Sequence, residues 1–210
     1  MNEKSFSGIL KTVAFSFTVY LIMVTLAVIL AAASKDGSNA SFIRFLGTAA
    51  QYINYLFLGS LACSGVMMLV LRKDKAPMSF LGGLFLLAYV IISIVWIVKS
   101  HTVGLGDVTS FVHTSLILLM LMPVILACAL VAISRCYEIR GLRVRSIIML
   151  VLALICMILL LVLKNGGVQS EDSALGTLGI YGILLLAFEI IEAVFFFKWA
   201  KAENNAIENE

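Results

Sequence analysis

Ser146–Leu163 reads SIIMLVLALICMILLLVL, eighteen residues without a charge, an amide or a proline, held between Arg145 and Lys164. A buried strand runs only about 4–8 residues. A helix needs about 20 apolar residues to cross the ~30 Å hydrocarbon layer of a bilayer. In lipid each backbone amide must be satisfied within its own segment, which a helix does. The stretch is therefore predicted to be a transmembrane helix.

Five further stretches follow the same pattern: Val13–Ala33, Ala49–Leu71, Met78–Val98, Phe111–Ile133 and Leu178–Phe197. Leu, Ile, Val, Phe and Met occupy all sides of each, so no dominant amphipathic face is expected. The short alternating strands of a β-barrel are not visible. The first span has Lys4 and Lys11 ahead of it and Ala31-Ala32-Ala33 at its end, as a signal peptide would. Its apolar run exceeds the ~7–15 residues of such a peptide, so a retained helix is expected. The fold class is all-α: a polytopic membrane protein of six transmembrane helices.

Composition agrees. Of 210 residues, 62% are hydrophobic and 13% charged, and the mean hydropathy is +1.09. A soluble domain is roughly 45–50% apolar and about 25% charged. The excess is too large for one globular core. The net charge of +3 suggests nucleic acid at first sight, but its placement reads as membrane topology, and no nucleic-acid partner is expected. Eleven Lys and Arg fall on one side: Lys4, Lys11, Arg72, Lys73, Lys75, Arg135, Arg140, Arg143, Arg145, Lys198 and Lys201. Four fall on the other: Lys35, Arg44, Lys99 and Lys164. The positive-inside rule puts the first set, and with it both termini, in the cytoplasm. The expected location is a bacterial inner (plasma) membrane. Arg135, Arg140, Arg143 and Arg145, crowded into SRCYEIRGLRVR, are expected to contact lipid headgroups.

The basic residues also recur. Arg72, Arg135 and Lys198 end spans two, four and six at intervals of 63 residues. Lys35, Lys99 and Lys164 end spans one, three and five at 64 and 65. Each of these three lysines is followed by a glycine-bearing polar loop. The chain thus reads as one six-helix domain over 1–200, made of three like-oriented helical hairpins, about 1–71, 72–134 and 135–198. A short acidic cytoplasmic tail, 201–210, is expected to fray. Two crossings per unit relate the copies by rotation about the membrane normal.

YLFLGSLACSGVMMLVLRKDK (Tyr55–Lys75) carries small residues, Gly59, Ser60, Cys63, Ser64 and Gly65, ahead of a basic end. With the repeated hairpins, this stretch resembles the HdeD-type family of small six-span bacterial inner-membrane proteins. IYGILLLAFEIIEAVFFFKWAK (Ile180–Lys201) is a weaker second match. The resemblance implies a stress-tolerance role, notably to acid, without an established chemistry. The prolines that such proteins often carry near the ends of their first helices are missing here.

Two carboxyls interrupt the sixth span. Glu189 lies nine residues before Lys198, about 13 Å at 1.5 Å per residue, which is near the bilayer midplane. Glu192 follows one turn later on the same face. A charge at that depth costs at least ~2.5–3.5 kcal/mol, and two carboxylates one turn apart also repel. At least one of the pair is expected to hold a proton at neutral pH. The pair is the candidate proton or ligand site; a neutral acid bonded to a neighbouring helix is the alternative.

Other polar residues read more simply. Gln51 and Asn54, at i and i+3 in span two, suit interhelical polar contacts, and Gly59, Ser60, Cys63 and Ser64 suit a close-packing face. His101 and His113 sit at span ends, and His113 is the candidate pH sensor. The four cysteines form no CxxC pair and suit small apolar packing. No metal site, cofactor or catalytic residue is expected: HExxH, GxSxG and P-loop motifs are missing. The expected function is a non-catalytic membrane protein, acting in acid or stress tolerance or as an accessory subunit. Its partners would be the lipid bilayer, and another membrane protein or a second copy. The alternative is a small proton- or cation-coupled transporter or channel using Glu189 and Glu192.

Overall fold

The computed structural model describes residues 3–33, 39–71, 77–102, 108–137, 140–165 and 171–208. Side chains are described over 5–33, 39–70, 77–99, 117–137, 141–165, 176–177 and 179–206. The described chain is α-helical: α1 (Glu3–Ala33), α2 (Ala40–Leu71), α3 (Met78–Thr102), α4 (Val108–Cys136), α5 (Arg140–Lys164) and α6 (Glu171–Glu208). All six are long and apolar enough to cross a membrane.

The helices outrun the apolar stretches. α1 begins three turns before Val13, α2 begins nine residues before Ala49, and α6 runs three turns past Phe197. A hydropathy window finds the lipid-soluble middle of a helix. Its ends follow backbone hydrogen bonding and side-chain packing instead. Residues 201–208, expected to fray, are thus the last two turns of α6. Ala202 and Glu203 within them are buried.

The helices form two compact units: residues 1–64 with 196–210, and residues 65–195. In the first, packing is led by aromatic rings from three helices. Phe17 of α1 lies 5.0 Å from Phe57 of α2 and 5.7 Å from Phe196 of α6, and Phe57 lies 5.9 Å from Phe196. Phe6 meets the fully buried Trp199 edge-on at 6.1 Å. Such pairs contribute about 0.5–1.5 kcal/mol each beyond their area. Next to them, Asn204 Oδ1 accepts from Ser7 Oγ at 3.3 Å and from Lys11 Nζ at 3.4 Å. These contacts hold the last turns of α6 in helical form.

In the second unit α4 packs against both α3 and α5. Burial follows that arrangement. α5 buries Leu142, Ser146, Met149, Ala153, Cys156 and Leu160, a 4,3,4,3 spacing that places one stripe against its neighbours. α4 buries a broader surface from Met120 to Cys136. Pro123, buried within α4, removes one backbone donor, which membrane helices tolerate.

The α2–α3 approach in this unit is set by glycine. A Cβ on Gly83 would lie 2.7 Å from the Gly65 carbonyl oxygen, and one on Gly65 would lie 3.2 Å from the Gly83 oxygen. Only hydrogen fits at that distance, as in the small-residue crossings of membrane helices. Of the expected small-residue face of α2, Ser64 is buried and Ser60 half-buried. Gly59 and Cys63 are exposed, and a Cβ on Gly59 would meet nothing within 4 Å. Hydroxyls fasten the turns: Ser79 Oγ donates to the Met68 carbonyl at 2.8 Å, and Ser134 and Ser146 share a buried bond of 3.0 Å.

Candidate functional site

The inward face of α6 repeats every three and four residues: Tyr181, Leu185, Phe188, Glu192, Phe195, Trp199 and Ala202. From Phe188 to Ala202 every member is buried. That spacing keeps one stripe facing inward along the helix. Large apolar side chains hold most of the stripe, and Glu192 stands between Phe188 and Phe195 where a fourth apolar group would pack.

Glu192 is 2% exposed, and its Oε1 is buried without a hydrogen-bond partner. An isolated buried polar group that forgoes its hydrogen bond costs about 1–3 kcal/mol, and more when charged. Glu189, one turn earlier at the edge of the stripe, is half-buried. The two carboxyls interact electrostatically.

Tyr181 joins them. Its hydroxyl is buried and has no hydrogen-bond partner. It interacts electrostatically with Glu189 and with Cys156 of α5. Tyr181 and Glu192 are eleven residues apart, within about 20° on a helical wheel and about 16 Å along the axis. Sequence reading missed Tyr181, because a tyrosine near a span end resembles an interfacial aromatic. The eleven-residue spacing to Glu192 was the available signal.

The other candidates lie elsewhere. The Gln51 amide donates to the Tyr55 hydroxyl at 2.8 Å, one turn on in its own helix, and Asn54 is half-buried. Arg135 is exposed, Arg143 and Arg145 are half-buried, and Arg145 Nη1 donates to the Gly141 carbonyl at 2.7 Å. The side chains of Arg140, His101 and His113 lie outside the described residues. Among the described residues no group of three or more His, Cys, Asp or Glu converges as a metal site would require. None of the four cysteines forms a disulfide; Cys136 and Cys156 are buried and Cys63 is exposed.

Neither a protein-family model, nor a curated protein, nor a solved structure matches this chain.

Proposed function

We propose that this chain is a non-catalytic, multi-pass protein of the plasma membrane whose Glu189–Glu192 pair reversibly binds protons or cations. In this reading both termini face the cytoplasm and the six helices are three like-oriented hairpins. The observation that carries it is the Glu192 carboxyl, buried with an unpartnered oxygen in an otherwise apolar stripe. An apolar residue there would pack better at no cost in desolvation. Intramembrane carboxyls of this kind mark ion and proton pathways. The resemblance to the HdeD-type family gives the same site a setting in acid tolerance.

Proton flux into liposomes tests it. Wild-type protein is expected to pass protons or cations down an imposed gradient, and Glu189→Gln with Glu192→Gln is expected to stop it. Equal flux in both, with both correctly folded, would remove the reading.

A second reading, an accessory subunit or self-associating protein, is favoured by one observation. Gly176, Gly179 and Gly182 lie one turn apart on α6, and a Cβ on any of them would meet nothing within 4 Å. Small residues at that spacing suit the approach of another helix. Disulfide trapping of Gly179→Cys in membranes tests it: a cross-linked species supports the reading, and a monomer alone opposes it.

A further inference from the structure

Three titratable side chains share one side of α6: Tyr181, Glu189 and Glu192. Two of them hold buried polar atoms with no hydrogen-bond partner, the Tyr181 hydroxyl and Glu192 Oε1. Their separations along the axis are about 12 Å from Tyr181 to Glu189 and about 4.5 Å from Glu189 to Glu192. Glu192 is buried, Glu189 and Tyr181 are half-buried, and the Tyr181 hydroxyl itself is covered.

The donor set also selects the ligand. Two carboxylates and a phenol make a poor metal site, because a hard cation wants six or more oxygens. Among the described residues no third acid, histidine or cysteine converges to complete a metal site. Cys156 is near enough to Tyr181 to act on it electrostatically but stands alone on α5. A proton needs only one oxygen at a time, and each of these three groups can carry it.

We propose that the ligand of this site is the proton, and that Tyr181 is its third member, relaying protons between Glu189 and the outer half of α6. This rests on the reading of Glu189 and Glu192 as a binding pair. In the inner step the Glu189 O–H bond breaks and a Glu192 O–H bond forms, with each electron pair left on its own oxygen. In the outer step Tyr181 takes a proton on its oxygen and releases its own toward Glu189. The 12 Å interval calls for water between these two groups. Among the described residues, the groups acting on this path are Glu189 and Tyr181 of α6 and Cys156 of α5.

Infrared difference spectroscopy on the full chain in lipid, after a pH jump, tests both levels. Wild type is expected to show a carboxylic acid band that titrates, with a midpoint unmoved by Na⁺, Mg²⁺ or Ca²⁺. Glu192→Gln is expected to lose that band; if it keeps it, the binding pair itself is refuted. Tyr181→Phe is expected to keep the band and exchange its proton severalfold more slowly. Glu189→Gln, an independent variant should Tyr181→Phe fold poorly, is expected to keep the Glu192 band and slow likewise. Wild-type exchange rates in Tyr181→Phe would overturn the relay while leaving the pair intact. A midpoint that moves with cation concentration would overturn the proton as ligand.

Discussion

Glu192 and Glu203 lie three turns apart on α6, and both are buried, at 2% and 1% exposure. Their surroundings differ. Glu203 belongs to the unit of residues 1–64 and 196–210 and is engaged in an interaction of its own. Its neighbour Asn204 accepts from Ser7 and Lys11. Glu192 belongs to the unit of residues 65–195, and its Oε1 has no partner. Burial alone therefore says little about a carboxyl's role. A partnered acid fastens a helix end, whereas an unpartnered one in a well-packed stripe is held at a cost that packing does not explain.

The contrast can be broken at several points. Trp199→Ala removes the largest fully buried side chain beside Glu203 and should cost about 3–5 kcal/mol, read as a large fall in the unfolding midpoint in micelles. Gly83→Val tests how tightly α2 and α3 cross in the second unit. The added carbons meet the Gly65 backbone, so a loss of about 1–3 kcal/mol is expected in the same assay; no loss would mean the crossing is loose. Glu203→Ala removes a buried side chain together with its interaction and should cost about 0.5–3 kcal/mol. Glu192→Gln should change stability by less than about 1 kcal/mol, and toward greater stability. If Glu192→Gln proved more damaging than Glu203→Ala, the two acids would have been assigned the wrong way round.

Much of the fold was legible because lipid leaves little choice. An uncharged run such as Ser146–Leu163 admits only a spanning helix. The helix ends were not legible. Lys198, Lys201 and the acidic residues after them look like a solvated tail, yet Trp199, Ala202 and Glu203 continue the inward stripe of α6. The close crossing was legible only in part: Gly59, Ser60, Cys63, Ser64 and Gly65 mark a small-residue stretch, but periodicity does not say which of them meets a neighbour. Gly65 and Gly83 do, and their pairing is visible only in three dimensions.

The candidate site was half legible. Glu189 and Glu192 announce themselves as charges in an apolar run. What the sequence could not convey is that one is sealed and the other half-open. Tyr181 stayed hidden, since its link to the pair depends on three helical turns of register rather than on local composition.

The most direct test of the central claim, that Glu189 and Glu192 hold an exchangeable proton in the membrane, is labelling with a hydrophobic carbodiimide at neutral pH. The reagent adds only to protonated carboxyls, and peptide mass spectrometry locates it. The account predicts label at Glu189 or Glu192, lost in the double glutamine variant. No label on either carboxyl of the pair would contradict it.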